Sequence, residues 1–202
     1  MIRYLLLLIF FTAPLCAEEG KFLLLLGPSG VGKSTIIRHL KEMDSRFVYV
    51  SPYTTRELRP GETDKVHVSL ETIQQLEQEG KLLTVNVIYG IYYATPKEVI
   101  DMALSEGNIP ILDWPVSNMD VMLDNYGPNL LTVYVEPESL DELERRLAND
   151  GRDGEGKRFA AGKEELLRYY SGEFDSLIHL KILNRQGEDL EVASKIYEIV
   201  TQ

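Results

Sequence analysis

One short segment near the start of the chain has the residue types and the spacing that bind phosphate. It satisfies the pattern G-x-x-x-x-G-K-[ST] at every fixed position, with Gly27, Pro28, Ser29, Gly30, Val31, Gly32, Lys33 and Ser34. Glycines let backbone N–H groups curl around an anion, because they lack the β-carbon that would obstruct it. Lys33 can reach the outer phosphates of a nucleotide, and the Ser34 hydroxyl can ligate Mg²⁺. The segment, with the adjacent Thr35, therefore predicts a nucleoside triphosphate site.

The segments on either side are the ones that such a loop needs. The apolar run at 21–26 favours a buried parallel strand, and residues 34–43 carry apolar side chains at helical spacing. Further apolar runs predict strands at 109–112, 130–135 and 177–183, and helical periodicity predicts helices at 98–105, 140–148 and 190–200. This alternation predicts an α/β fold, a mostly parallel sheet with helices on both faces.

Two segments do not follow this alternation. Residues 48–87 combine short β-like pieces with a loop rich in Arg, Pro, Gly and Glu, and with one short helix at 70–79. Residues 149–163 are rich in glycine and charge and show no apolar face. Both are expected to be lobes or flaps attached to the sheet, where mobility is common.

A second segment has the residue types that hold phosphate. Residues 54–62 read TTRELRPGE, which places Arg56 and Arg59 in one loop beside Pro60 and Gly61. A planar guanidinium group can hold a phosphate through two parallel hydrogen bonds. The segment is therefore interpreted as a site for a second phosphate group, and the alternative is a solvated charged loop.

Together these segments resemble the guanylate kinase family, and the resemblance covers nearly the whole chain after residue 17. The matching segments are GPSGVGKST, TTRELRPGE, YYAT at 92–95, ILD at 111–113, EPESLDELERRL and KRFAAGKEEL. The resemblance implies a P-loop NTPase-type parallel sheet flanked by helices, with an inserted acceptor-binding lobe and a lid. It implies one domain at 18–202, with a core at 20–50, 96–135 and 176–202, the lobe at 51–95 and the lid at 136–175.

The resemblance also assigns roles on the acceptor side. Arg56, Arg59 and Tyr93 would hold the phosphate of an acceptor nucleotide, and Glu62 would lie close to that phosphate-binding loop. Asp113, at the end of a predicted strand, would serve the acceptor or Mg²⁺-bound water.

On the triphosphate side, the resemblance implies ATP and Mg²⁺ as the bound species. Lys33, Arg146 and Arg158 would neutralise charge on the transferred phosphoryl group, and Ser34 would ligate the metal. Asn184, which follows the last predicted strand, matches a position near adenine.

Departures from the family pattern fall mainly on the positions that read guanine. Pro52 stands where the family has a serine, Thr84 where it has a glutamate, and Pro115 where it has a second aspartate. A phosphate-binding tyrosine is also missing from a slightly shortened segment, with Lys65 or His67 in its place. A site that loses groups of this kind loses discrimination between substrates.

Two interpretations of the acceptor therefore remain. The acceptor is GMP, read by substitutes such as Thr84, Thr95 and Asp113, or it is another molecule. The first interpretation predicts ATP-dependent conversion of GMP to GDP. The alternatives are a sugar-phosphate kinase similar to ribose 1,5-bisphosphokinases and a non-catalytic module that binds phosphorylated ligands.

Composition limits the classes of partner. Of the 202 residues, 32 are acidic and 21 are basic, and the net charge is −11. A chain with this charge repels a nucleic-acid backbone, so broad binding to DNA or RNA is not expected. The single cysteine, Cys16, excludes an internal disulfide framework and a cysteine-based zinc site.

The first seventeen residues resemble a secretory signal peptide. Arg3 precedes an apolar run at 4–11, and Pro14 and Ala17 follow it. The run is shorter than the ~20 residues that a membrane-spanning helix needs, so no stable span is expected. Export conflicts with the use of ATP, which is scarce outside the cytosol, and the sequence leaves this conflict open.

Overall fold

A computed structural model describes residues 21–88, 90–151, 153 and 155–202. The predicted leader at 1–17 lies outside the described residues and stays a prediction. The strands are β1 (Phe22–Leu26), β2 (Phe47–Tyr49), β3 (Tyr53–Thr54), β4 (Val66–His67), β5 (Leu82–Ile88), β6 (Ile91–Pro96), β7 (Ile109–Asp113), β8 (Leu130–Pro137) and β9 (Leu180–Asn184). The α-helices are α1 (Lys33–Met43), α2 (Leu70–Gln78), α3 (Lys97–Ser105), α4 (Met119–Tyr126), α5 (Leu140–Asp150), α6 (Lys157–Tyr170) and α7 (Asp189–Thr201).

Five strands form the main sheet in the order β2–β7–β1–β8–β9. Every neighbouring pair in this sheet runs parallel. The central strand β1 is buried along its whole length, which explains why its sequence is apolar without alternation. A separate sheet has the order β4–β3–β6–β5 and pairs β6 antiparallel with both β3 and β5. The predicted α/β fold with a parallel sheet is confirmed.

Two layers of helices cover the two faces of the main sheet. On one face, Leu23 and Leu25 pack in a cluster with buried side chains of α1 and α7. On the other face, Phe22, Leu24 and Leu26 pack with buried side chains of α3, α4, α5 and α6. Successive residues of a strand point to opposite faces, so one apolar run supplies both clusters. None of the described helices is long and apolar enough to cross a membrane.

Helix α6 corrects one expectation. Residues 157–163, expected to lack an apolar face, form the first half of this helix. The Asp153 carboxylate accepts hydrogen bonds from the backbone N–H groups of Arg158 and Phe159, at 2.7 and 2.9 Å, and so starts the helix. The apolar face of α6 includes the partly buried Phe159, and it continues through Leu166, which lies beyond residue 163.

Other differences concern short elements. Strand β9 begins at Leu180 rather than at 177, because residues 175–177 form a single 3₁₀ turn. The sequence patterns do not predict β2 and α4, which have 3 and 8 residues. Periodicity is a weak signal over so few positions.

Candidate active site

The predicted site residues follow strands of the main sheet at one edge. The phosphate loop follows β1, Asp113 ends β7, and Asn184 ends β9. In an open parallel sheet, the carboxyl ends of the strands form the crevice in which ligands bind. The topology therefore brings together residues that are up to 157 positions apart, from Gly27 to Asn184.

The phosphate loop is packed most tightly at two of its glycines. Gly27 has a φ of 121°, and a β-carbon there would overlap the carbonyl oxygen of Val135 in β8. Gly32 has a φ of 103°, and a β-carbon there would overlap the side-chain amide of Asn184 and lie 2.6 Å from Asp189 Oδ1. The loop thus lies directly against two neighbouring segments, and its backbone leaves no room for side chains on that side.

Lys33 begins α1 and folds back over the loop. Its Nζ donates hydrogen bonds to the carbonyl oxygens of Gly27 and Pro28, at 2.6 and 3.0 Å. Burial lowers the pKa of Lys33, while the carboxylates of Asp113 and Glu165 oppose that shift. The ammonium group is therefore held at the loop by carbonyl oxygens, close to two acidic side chains.

Arg158 of α6 is placed beside the phosphate loop. Its Nε donates a hydrogen bond to Ser29 Oγ at 3.1 Å, and its Nη1 donates to Asp150 Oδ2 at 2.7 Å. The close approach of α6 depends on Gly162, because a β-carbon there would lie 3.1 Å from Pro28 Cβ. The helix and the loop are therefore in direct contact where Arg158 reaches Ser29.

Arg146 of α5 and Asn184 hold the other side of the loop. Arg146 donates to the backbone carbonyls of Val31 at 3.4 Å and Asn184 at 3.1 Å, and to Glu142 Oε1 at 2.8 Å. The Asn184 amide nitrogen donates to Val31 O at 2.8 Å and to Asp189 Oδ1 at 2.9 Å. The Asn184 side chain is fully buried, and its Oδ1 has no hydrogen-bond partner in the described chain.

The second predicted phosphate site contains a buried ion pair. Both terminal nitrogens of Arg56 donate hydrogen bonds to the Glu62 carboxylate, and the bond from Nη1 is 2.7 Å long. Only 14% of the Arg56 side chain and 10% of the Glu62 side chain are exposed. Arg56 holds the pKa of Glu62 at about 2, and the Glu62 carboxylate raises the pKa of Arg56, with Tyr93 contributing to that shift. Arg56 Nε is buried and has no partner among the described residues, so one strong donor of this guanidinium is still available.

Arg59 occupies a different environment. It is exposed, and its backbone N–H donates to Glu62 Oε2 at 3.0 Å. Glu62 therefore orders the loop through both arginines, by the side chain of one and the backbone of the other.

A cavity of about 550 Å³ lies between α1 and this loop. Its lining includes Ser34 at the start of α1, Tyr49 at the end of β2, and Gly61 and Glu62 of the arginine loop. The two predicted anion sites therefore contribute residues to one cavity. Tyr49 also donates a hydrogen bond to Asp113 Oδ1 at 3.0 Å, which fixes the carboxylate that ends β7.

A second cavity, of about 410 Å³, lies between the small sheet and the end of β7. Its lining includes residues that the sequence analysis singled out, namely Pro52, Tyr93, Thr95, Asp113 and Pro115. Thr84 lies behind this lining, where its hydroxyl is 3.5 Å from Thr95 Oγ1. The volume is within the range of small-molecule sites, about 300–1,000 Å³.

The sequence analysis missed three polar residues of the second cavity, which are Asn86 in β5 and Ser117 and Asn118 before α4. It also missed Tyr49, which lines the first cavity and reaches Asp113 from β2. Only the position of Asn118, in the loop after a predicted strand, carries a signal that could have marked it. Lys65, considered only as a substitute for a missing tyrosine, lines the cavity too.

The residues present suit a Mg²⁺-nucleotide. The backbone N–H groups of residues 31–34 donate to no acceptor among the described residues. They lie at the N-terminus of α1, where the helix dipole adds positive electrostatic potential. No group of three or more His, Cys, Asp or Glu side chains in the described chain could hold a metal by itself. A metal held by Ser34 Oγ and phosphate oxygens needs no such group, because Mg²⁺ usually takes few protein ligands.

Comparisons with known proteins agree with this geometry. The family model described as Guanylate kinase matches residues 19–195. A guanylate kinase from Nostoc sp. is 31% identical over 90% of this chain and 89% of its own length. A guanylate kinase from Helicobacter pylori is 34% identical over 89% of this chain and 85% of its own length.

Solved structures support the fold. The crystal structure of guanylate kinase from Anaplasma phagocytophilum superposes with a TM-score of 0.69 at 22% identity, covering 90% of this chain and 85% of that chain. Shikimate kinase from Acinetobacter baumannii superposes with a TM-score of 0.50 at 16% identity. With the family model spanning most of the chain and relatives above 30% identity, the chain belongs to the guanylate kinase family, a family of nucleoside monophosphate kinases.

Proposed function

We propose that this protein transfers the γ-phosphoryl group of ATP to the phosphate of a nucleoside monophosphate, with GMP as acceptor and GDP as product. The observation that carries the proposal is the shared 550 Å³ cavity, which Ser34 lines from one side and Glu62, the partner of Arg56, lines from the other. Phosphoryl transfer requires two anions to be held in line at short distance, and it asks the protein mainly for positioning and neutralisation of charge.

The proposal assigns a role to each part of the site. The backbone N–H groups of 31–34 and Lys33 would bind the triphosphate, and Arg158 and Arg146 would lie beside the phosphates as negative charge moves between oxygens. Mg²⁺ held through Ser34 would supply a Lewis acid that neutralises phosphate oxygens. Residues 51–95 are assigned as the acceptor lobe and residues 136–175 as the lid.

On the acceptor side, the arginine loop would position the nucleophile. The free Nε–H of Arg56, with Tyr93 and Arg59, would bind the acceptor phosphate, whose oxygen attacks the γ-phosphorus while ADP leaves. Glu62 already holds two nitrogens of Arg56, so the guanidinium is oriented before the acceptor arrives. Asp113, fixed by Tyr49, would face the acceptor from the end of β7.

An ADP-release assay with ATP, Mg²⁺ and GMP tests the proposal. We expect GMP-dependent ADP formation, and we expect Lys33→Ala to lower kcat by about 10²–10³-fold, because it removes a fixed positive charge from the transition state. Arg59→Ala should instead mainly raise the KM for GMP. Absence of GMP-dependent ADP formation, or equal losses in both variants on both substrates, would contradict the proposal.

One observation favours a second candidate acceptor. Pro52 and Pro115 both line the second cavity, and neither side chain can form a hydrogen bond with a base. A sugar phosphate would not need such groups. Ribose 1,5-bisphosphate in the same assay separates the two candidates, since a kinase of that kind would use it in preference to GMP.

A further inference from the structure

A continuous row of neutral polar side chains follows one wall of the second cavity. Ser117 Oγ donates to Asn118 Oδ1 at 3.3 Å, and Asn118 Nδ2 donates to Asn86 Oδ1 at 3.2 Å. Asn86 Nδ2 in turn lies 3.4 Å from Thr84 Oγ1, which lies 3.5 Å from Thr95 Oγ1. We call these five residues the amide row. Ser117, Asn118, Asn86 and Thr95 also line the cavity itself.

The direction of donation along the amide row is reversible. Each member carries both a donor and an acceptor, because a carboxamide has an oxygen and an NH₂ group and a hydroxyl serves both ways. Rotating the two carboxamides by 180° and turning the hydroxyls preserves every bond of the row with donor and acceptor exchanged. The wall can therefore present either polarity to a ligand at similar energy.

Packing holds the row in place while leaving this freedom. The buried indole of Trp114 donates from Nε1 to the backbone carbonyl of Asn118 at 3.0 Å, which fixes the backbone but not the carboxamide. The two asparagines come from β5 and from the loop after β7, so their contact joins the small sheet to the main sheet. The position of the wall is thus fixed, and only its polarity can change.

The charged groups of the cavity lie outside the amide row. Asp113 is oriented by Tyr49, and Lys65 Nζ is 3.1 Å from Asp64 Oδ2. A carboxylate in the wall could only accept hydrogen bonds, so it would favour a base whose edge carries hydrogen-bond donors. Here the wall is uncharged, so the fixed preference for one edge is removed.

We infer that the amide row is the base-reading surface of the acceptor site, and that it makes the protein a kinase of purine nucleoside monophosphates that discriminates weakly between 6-oxo and 6-amino purines. The inference rests on the proposed function and names its substrate class more closely. A 6-oxo purine presents an acceptor at position 6 and a donor at N1, whereas a 6-amino purine presents the reverse. A row with reversible polarity satisfies both edges.

The test is kcat/KM for GMP, IMP, AMP and CMP with ATP and Mg²⁺. We expect the three purine nucleotides to lie within about tenfold of one another, since the amide row itself does not select among them. CMP should be at least about tenfold worse, because a smaller ring cannot reach the row and the acceptor loop together. A preference above 100-fold for one purine nucleotide would overturn the inference while leaving nucleotide kinase activity in place.

Asn86→Asp gives a sharper test, because it fixes the polarity of the row. The carboxylate still accepts from Asn118 and can accept from Thr84, so the row stays bonded, but position 86 no longer donates. Guanine offers the carboxylate two donors, at N1 and at the 2-amino group, and hypoxanthine offers one, at N1. Adenine instead places an acceptor, its unprotonated N1, against the carboxylate. The kcat/KM ratio of GMP to AMP should rise by about tenfold or more, with IMP between them.

Asn125→Asp is the matched control. Asn125 is exposed at the far end of α4, where its side-chain amide donates a hydrogen bond to the carbonyl of Val121. Its substitution by aspartate makes the same change of charge as Asn86→Asp, but outside the cavity. Its ratio of GMP to AMP should equal that of the unchanged protein, and a rise equal to that of Asn86→Asp would overturn the inference. Calorimetric Kd values for GMP and AMP without ATP should shift in the same order, independently of turnover.

Failure of the inference and failure of the proposed function give different results. If no nucleoside monophosphate is phosphorylated, both are overturned. If GMP alone is phosphorylated and Asn86→Asp leaves the ratio unchanged, only the amide row loses its assigned role.

Discussion

The two proposed anion-binding regions of this molecule are built from different chemical groups. The phosphate loop uses backbone N–H groups between β1 and α1, and a β-carbon at Gly27 or Gly32 would overlap neighbouring segments. The arginine loop uses side chains, and at Gly61 a β-carbon would meet nothing within 4 Å. The first region is therefore defined by close packing of the backbone, and the second by an ion pair in a loop that has open space around Gly61.

This difference indicates how each region should respond to amino-acid substitutions. A backbone-built site depends on residues that must be small, so substitution alters the shape of the site itself. A side-chain-built site depends on the charge and geometry of a few groups, so substitution alters affinity for one ligand and leaves the fold intact. Mutations of the same chemical type in the two regions can separate these effects.

The largest contrast is expected from Gly32→Ala and Gly61→Ala. Both glycines have positive φ, of 103° and 78°, so both variants carry a backbone penalty, of about 1–2 kcal/mol for a left-handed conformation and more at Gly32, whose φ lies further from that region. In Gly32→Ala the new β-carbon also overlaps the Asn184 amide, which should bring the total loss of stability to about 2–4 kcal/mol. Urea unfolding measures both losses, and calorimetry should show weaker ATP binding only for Gly32→Ala.

Equal losses of stability in the two glycine variants would contradict this contrast. They would mean that the phosphate loop relaxes away from Asn184 without cost.

A smaller contrast is expected from Arg146→Lys and Arg56→Lys. The two side chains are similarly buried, with 12% of Arg146 and 14% of Arg56 exposed. In both variants the substitution removes the planar set of guanidinium donors. Arg146 bonds the phosphate loop through Val31, so its loss should lower kcat/KM for ATP roughly tenfold. Arg56→Lys should instead raise the KM for the acceptor roughly tenfold and leave the KM for ATP unchanged.

Steady-state kinetics with each substrate varied in turn measures both effects, and each variant serves as the control for the other. If both variants change both KM values alike, the separation of the two regions is wrong.

The smallest effect is a dependence of stability on pH. Arg56 holds the pKa of Glu62 at about 2, below its ordinary value of 4.5. Since the folded pKa is depressed, this pair stabilises the fold fully above pH 4.5, and its contribution is lost as the pH falls towards 2. In Glu62→Gln, the free energy of unfolding should therefore fall less steeply between pH 4.5 and 2 than in the unchanged protein.

Urea unfolding at a series of acid pH values gives these slopes. Glu57→Gln is the matched control, because Glu57 lies on the same loop with 91% of its side chain exposed. A slope in Glu62→Gln as steep as in this control would show that the ion pair contributes nothing to acid stability.

Sequence patterns predict the parts of this molecule that follow from local rules. A strand buried on both faces must be apolar throughout, so β1, β7 and β8 appear as continuous runs. A loop that wraps an anion with its backbone must be rich in glycine at fixed positions, so the phosphate loop is equally visible. In both cases the physical requirement acts on residues that are adjacent in the sequence.

The second cavity shows why the remainder is harder to predict. The contact between Asn86 and Asn118 joins residues 32 positions apart, and asparagine is common in loops and at the ends of elements. Their meeting depends on how the small sheet packs against the loop after β7, which no local pattern encodes. Helix α6 was not predicted for a related reason, because the Asp153 side chain that starts the helix stands before a glycine-rich stretch.

The contact of α6 with the phosphate loop has a consequence for ligand capture. Gly162 brings the helix against Pro28, and Arg158 is held by hydrogen bonds to Ser29 and Asp150 of the same chain. Contacts within the chain thus hold a cationic side chain at the proposed triphosphate site, so binding energy would not be spent on ordering that side chain. Ordering of side chains on ligand binding would then fall mainly on the arginine loop, where Arg59 is exposed.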